Sequence, residues 1–219
     1  MIKYVLFASL ALNLFFVAFF AIRKFRYYFP GKILHYEYSS ARNHLFEVMP
    51  RRDNSIIFVG DSQTQFFPLD ELFTDTILNR GISGDVSGGV LNRLEEITRR
   101  KPAKLFIQVG INDITRSIPL AVITQNYAAI LQQVKNQSPA TKIYVQSLLP
   151  YGPRYTKVRE FNTLLKQLAI GEKVTYIDLY SPFVENNRLG SPYDCGDGLH
   201  LSGEGYLLWR DIVSSYVAE

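Results

Sequence analysis

Cysteine is almost absent. Cys195 is the only one in 219 residues, so no disulfide can close within the chain, and a single thiol says little about redox compartment. Histidine is nearly as scarce. His35, His44 and His200 are the full set, and none stands in an H-E-x-x-H or similar ligand spacing, so no metal site is expected. A dinucleotide loop is missing too: Gly81, Gly84, Gly88 and Gly89 do not give G-x-G-x-x-G. The chain has no internal repeat and no low-complexity segment. Glycine and proline, at 14 and 10 copies, are not enriched, which argues against disorder. The net charge is only +4, and no stripe of basic residues alternates with base-stacking aromatics. Nucleic acid is therefore not an expected partner.

What is present is a chain able to bury a core, with 47% hydrophobic and 20% charged residues. Its first segment, Tyr4 to Ile22, is an uncharged apolar run. At 1.5 Å per residue such a helix would reach roughly 28 Å, close to the thickness of a bilayer's hydrocarbon. Lys3 precedes it, and Arg23, Lys24, Arg26 and Lys32 follow. The run is long for a signal peptide and lacks a small-x-small cleavage site, so an uncleaved anchor is favoured over a removed leader. The basic C-terminal flank taken alone favours a cytoplasmic domain. An N-terminal anchor with so little chain before it instead favours export, and an extracytoplasmic domain is the expectation. Pro30-Gly31 should break any helix there, with a short helix over 39–48. The expected division is a transmembrane signal-anchor over 1–24, a juxtamembrane linker with that short helix over 25–51, and one domain over 52–219.

Within that domain, short apolar runs alternate with amphipathic stretches. Strands are expected over 55–59, 76–78, 104–109, 142–147 and 174–177, and helices over 86–100, 119–136, 155–169 and 202–217. The alternation predicts an α/β fold with a parallel sheet covered on both faces. Right-handed crossovers would bring every strand's C-terminal end to one edge, where ligands bind in such sheets. The basic cluster Arg99, Arg100 and Lys101 reads as a helix end, where cations suit the dipole.

Four motifs fall at that edge. Gly60-Asp61-Ser62 follows the first strand and places a serine where a helical turn can begin. Asn79-Arg80-Gly81-Ile82-Ser83-Gly84-Asp85 follows the second, and the Gly84 N–H can donate to an oxyanion. Gly110-Ile111-Asn112-Asp113 follows the third; an Asn amide there can do the same, a contribution of about 3 kcal/mol per donor. Asp197-Gly198-Leu199-His200 precedes the last helix. A carboxylate three residues before a histidine can hold one ring nitrogen and leave the other to take a proton from Ser62. Taken singly, each motif also fits a cap, a turn or a surface loop. Cys195, beside Asp197 and His200, leaves a thiol or metal reading open. Tyr151, Tyr155 and Tyr193 should lie in loops at the same edge, lining a pocket or packing loop against helix.

The four motifs together resemble the SGNH/GDSL hydrolases, whose name records Ser, Gly, Asn and His, here Ser62, Gly84, Asn112 and His200 in that order. The resemblance covers roughly residues 52–217. The runs ending in Gly110-Ile111-Asn112-Asp113 and Asp197-Gly198-Leu199-His200-Leu201-Ser202 look like the platelet-activating-factor acetylhydrolase-like branch. The resemblance implies a flavodoxin-like three-layer α/β/α fold with a five-stranded parallel sheet, and no cofactor. It implies Ser62 as nucleophile, His200 as general base and Asp197 as its orienting carboxylate. The oxyanion hole would comprise the N–H groups of Ser62 and Gly84 and the Asn112 side chain. The implied activity is a serine esterase acting on small acyl esters, such as acetyl groups on a glycan or lipid. An acyltransferase on the same fold and a non-catalytic membrane-tethered binding module are the alternatives. Two departures bear on the substrate pocket: Gln63-Thr64 stands where the family usually has an apolar Leu after the nucleophile, and Ile111 where Thr is common.

Overall fold

The computed structural model describes residues 16, 17, 19 and 30–219. The chain divides into two compact units, Met1–Ala41 and Arg42–Glu219, and the chemistry lies in the second. Five strands, β1 (Ile56–Gly60), β2 (Ile77–Gly81), β3 (Lys104–Gln108), β4 (Lys142–Gln146) and β5 (Thr175–Ile177), form one sheet in the order β2-β1-β3-β4-β5. Every pairing is parallel. This is the flavodoxin-like order, and it leaves the switch point between β1 and β3, whose C-terminal ends carry two of the four motifs.

Alternation along the strands makes two different cores. Side chains of successive strand residues point to opposite faces. Ile57, Val59, Leu105, Ile107, Ile143 and Val145 share an aliphatic face. It is covered by α4 (Ser87–Asn92), α5 (Leu94–Thr98), α7 (Leu120–Gln137) and α8 (Tyr155–Gly171). The opposite face is aromatic. Phe58, Phe106 and Tyr144 occupy one register across β1, β3 and β4 and stack with centroids 4.3 and 4.5 Å apart. Trp209, Val213 and Val217 of the closing helix α10 (Gly203–Ala218) pack there with Phe67. Offset stacks of this kind add about 0.5–1.5 kcal/mol per pair beyond the area they bury. Three layers, α/β/α, result.

The sequence-based strands agree with these to within a few residues. The helix expected over 86–100 is in fact two, α4 and α5, separated at Arg93, whose backbone leaves helical geometry (φ −106°, ψ 11°). Four short helices escaped the periodicity: α2 (Ser62–Gln65), α3 (Leu69–Leu72), α6 (Ile111–Thr115) and α9 (Tyr180–Phe183). One or two turns are too short to display a repeat of 3.6.

The N-terminal expectations need correction. Most of the apolar run Tyr4 to Ile22 lies outside the described residues. Among the described residues no helix is long and apolar enough to cross a membrane. The helix that is described, α1 (Pro30–Val48), begins at the proline expected to break it. Proline is tolerated in a first turn, where its missing N–H would be unpaired anyway. This helix carries Lys32, Glu37, Arg42 and Glu47, charges that a bilayer core does not accept cheaply. The transmembrane helix is thus not part of the fold class, and the membrane partner and extracytoplasmic localisation inferred from it lose their support.

The cluster at residues 99–101 lies at the end of α5, as its sequence reading has it, but one member is not at the surface. Arg100 is fully buried. It donates to Glu96 Oε1 at 2.6 Å and to the Phe46 and Pro50 carbonyls at 2.9 Å each. Arg80 pairs with the same Glu96 carboxylate at 3.3 Å and lies over the Phe46 ring at 4.5 Å. One buried carboxylate therefore serves two buried guanidiniums. Removing one member of such a group costs about 3–5 kcal/mol, because the partners stay buried unpaired. Glu96→Ala should lower the unfolding free energy by that much in equilibrium urea unfolding; a loss under about 1 kcal/mol would show the arginines to be adequately held by backbone carbonyls alone.

Candidate active site

The chain leaves β1 at Gly60 and turns at once into α2. The turn can press against the sheet because residue 60 has no side chain: a Cβ there would stand 2.2 Å from Gln108 O and from Thr64 Oγ1. Asp61 caps the turn, with Oδ1 accepting from Gln63 N at 3.0 Å. Asn79 on β2 holds it from the side, donating to Thr64 O at 2.7 Å and Phe67 O at 3.1 Å. Ser62 is thereby fixed at the first position of a helical turn, and its N–H has no acceptor among the described residues.

The loop before α10 brings the remaining groups. Asp197 Oδ1 accepts from the N–H groups of Leu199 and His200 at 2.9 and 2.8 Å. Its Oδ2 lies 2.6 Å from His200 Nδ1, and His200 Nε2 lies 2.9 Å from Ser62 Oγ. A carboxylate at Nδ1 calls for a proton there, which leaves Nε2 as acceptor for the serine hydroxyl. Partial burial would raise the Asp197 carboxyl, but hydrogen bonds from the His200 ring and the two N–H groups outweigh it and hold it well below the usual carboxylate range. Asp197 accordingly stays charged wherever the histidine needs it.

Gly84 adopts φ 72°, a left-handed conformation that a side chain would strain. Its carbonyl accepts from Arg116 at 2.7 Å, and its N–H has no acceptor among the described residues. Asn112 Nδ2 donates to Asp85 O at 3.0 Å. That bond ties the amide to the Gly84 loop and leaves its second N–H open. Asp113 does not cap its own helix: it accepts from Ser87 N and Oγ at 2.9 and 2.6 Å and so joins the third motif to α4.

Several supporting residues were not foreseen. Buried Arg93 donates to Asp85 at 2.8 Å and to the Arg80 carbonyl at 2.9 Å, bracing the second motif. A signal existed, since Arg93 stands three residues after Val90 and four before Ile97, on the apolar face of its helical run. Tyr151 packs against the aliphatic core, and Tyr193 meets Phe183 edge-on at 5.2 Å, so both take the packing role. Tyr155 is exposed on the first turn of α8. Ligand atoms of Asp194, Cys195 and Asp197 lie within 4.8 Å of one another. However, Asp197 is committed to His200, and Asp194 Oδ1 to the N–H groups of Gly196 and Gly198.

Residues 58–208 match the model of the GDSL-like lipase/acylhydrolase family. The chain belongs to that family. Among its relatives is a platelet-activating factor acetylhydrolase IB subunit alpha2 from Rattus norvegicus, 30% identical over 71% of this chain and 72% of the relative. An arylesterase from Vibrio mimicus is 32% identical over 66% of this chain and 68% of its own. A solved GDSL-like lipase from Bacteroides thetaiotaomicron shares the fold with a TM-score of 0.72 at 22% identity, over 84% of this chain and 97% of that one. This SGNH/GDSL hydrolase falls in the platelet-activating-factor acetylhydrolase-like branch, and it is a serine esterase.

Behind the Ser62 turn the hydrolase buries acid. Asp61 is fully buried, and its Oδ2 has no hydrogen-bond partner among the described residues. Burial, aided by the nearby charges of Asp85 and Asp113, pushes its carboxyl up to about 7. The folded state then keeps a proton that the unfolded chain releases near the ordinary carboxyl value of 3.8. Stability must fall as pH rises between those two values. Asp61→Asn keeps the oxygen that caps Gln63 but cannot ionise. Its melting temperature should exceed that of the parent by more at about pH 8 than at about pH 5; a gap that is constant with pH would mean that Asp61 does not titrate in this range.

Proposed function

We propose that Ser62, His200 and Asp197 act as a catalytic triad on small acyl esters, acetyl esters foremost, carried by a glycan or a lipid. The observation that supports this is the continuous path from Asp197 Oδ2 through both nitrogens of His200 to Ser62 Oγ, at 2.6 and 2.9 Å. In this reading His200 Nε2 takes the Ser62 proton as Oγ attacks the ester carbonyl. Asp197 stabilises the imidazolium that forms. The open N–H groups of Ser62, Gly84 and Asn112 receive the oxyanion. His200 then protonates the departing alcohol, leaving an acyl-serine. Water, deprotonated by the same nitrogen, attacks that ester and releases the acid.

The preference for a short acyl group rests on the resemblance to acetylhydrolases. Phe66, 53% exposed and edge-on to the His200 ring at 5.9 Å, offers an apolar surface beside the reacting pair. Hydrolysis of p-nitrophenyl acetate, butyrate and octanoate tests both parts. Ser62→Ala should remain folded and lose about 10³-fold or more in kcat, and Asn112→Ala about 10²–10³-fold. Near-parental activity of Ser62→Ala would remove the serine from its role. A kcat/KM that climbs from acetate to octanoate would remove the small acyl group.

A further inference from the structure

Two amide side chains, Gln63 and Gln108, are buried at 2% and 0% exposure. A buried amide is costly unless its donors and acceptors are matched. Here chemistry forces their orientation. Leu199 O can only accept, so Gln63 presents Nε2 to it, at 2.9 Å. Gln63 Oε1 then faces back and accepts from Gln108 Nε2, also at 2.9 Å. Gln108 ends β3, Gln63 follows Ser62, and Leu199 precedes His200. One line of amides therefore runs from the centre of the sheet, past the nucleophile, to the peptide that carries the histidine.

Other bonds shape that loop without locating it relative to Ser62. Cys195 N donates to His200 O, and Asp194 bridges Leu201, both inside the loop. Between the α2 turn and the loop, the hydrogen bonds are Ser62 to His200 and Gln63 to Leu199. The first cannot survive the whole cycle. Once Ser62 Oγ is acylated it has no proton to donate, and of these two bonds only the second remains while water is activated; the Tyr206 OH bond to Gln63 O ties the following helix to the same turn.

Resting on the triad reading, we propose that Gln63, anchored by Gln108, is a positioning residue that holds His200 in place during deacylation. The step it serves is balanced: water gives a proton to His200 Nε2, hydroxide adds to the acyl carbon, and the C–O bond to Ser62 breaks as Oγ recovers that proton. Gln63→Met keeps the shape and loses both hydrogen bonds. With p-nitrophenyl acetate it should show a burst of about one p-nitrophenol per enzyme, followed by turnover about tenfold slower than in the parent. Intact-protein mass spectrometry should find the acetyl adduct accumulated.

The double variant Gln63→Met/Gln108→Met separates position from fold. Removing both partners of the Gln63–Gln108 pair is close to neutral for that pair, which leaves only the Leu199 carbonyl without its donor, so the double variant should be more stable than Gln63→Met yet still accumulate the adduct. Turnover of both variants at the parental rate with no adduct would overturn the inference, as would a double variant that regains stability and deacylation together. Ser62→Ala is the control for the underlying reading. If ester hydrolysis by the parent does not depend on Ser62, the triad fails and the inference with it; if it does and the Gln63 variants behave as the parent, the inference alone fails.

Discussion

Ser62 and His200 meet at 2.9 Å although 138 residues separate them in the chain, and most of the fold can be understood as what makes that contact possible. The serine is fixed by the end of a central strand and by a turn pressed onto it at Gly60. The histidine is fixed by a loop whose following helix, α10, is docked through Trp209, Val213 and Val217 onto the aromatic face of the sheet. Trp209 also donates to Gln146 at the end of β4 at 2.7 Å, and Tyr206 OH to Gln63 O at 3.2 Å. Both ends of the contact are thus referred to the same rigid sheet. A parallel sheet suits this purpose, because each strand delivers its C-terminal end to one edge with little freedom of register.

Close packing at that edge brings charge indoors. Asp61, Asp85 and Asp113 all lie behind the site, and burial raises the pKa of each. Asp85 has Arg93, and Asp113 has the Ser87 hydroxyl and N–H; Asp61 has a single backbone donor. Asp197 is the exception, an acid held low by hydrogen bonds in a half-open loop. The contrast is functional in sense: the carboxylate beside the histidine keeps its charge, while those behind the serine hold turns in place.

Much of this could be read along the chain. The parallel sheet followed from apolar runs over 55–59, 104–109 and 142–147, set between amphipathic stretches. The four motifs fell after strands or before the last helix, where they are found. The break at Arg93 was hidden, because Val90, Leu94 and Ile97 continue the helical period across it. That Arg100 at the end of its helix is buried was hidden, because two of its partners, the Phe46 and Pro50 carbonyls, lie some fifty residues away. The membrane reading failed for another reason: it rested on the hydropathy, length and flanks of a segment lying mostly outside the described residues, and among the described residues no helix is long and apolar enough to cross a membrane.

The sequence by itself determined the four motifs and the family they belong to, the strand-helix alternation and the edge at which the motifs gather, since these depend on local pattern and on the handedness of the chain. Tertiary structure decided which groups touch. That Asn112 is tied to Asp85, that Arg93 braces the Gly84 loop, and that Gln63 reaches Leu199 are consequences of packing between distant segments. The direction of a side-chain hydrogen bond, and the pKa of a buried acid, depend on neighbours that local pattern does not record.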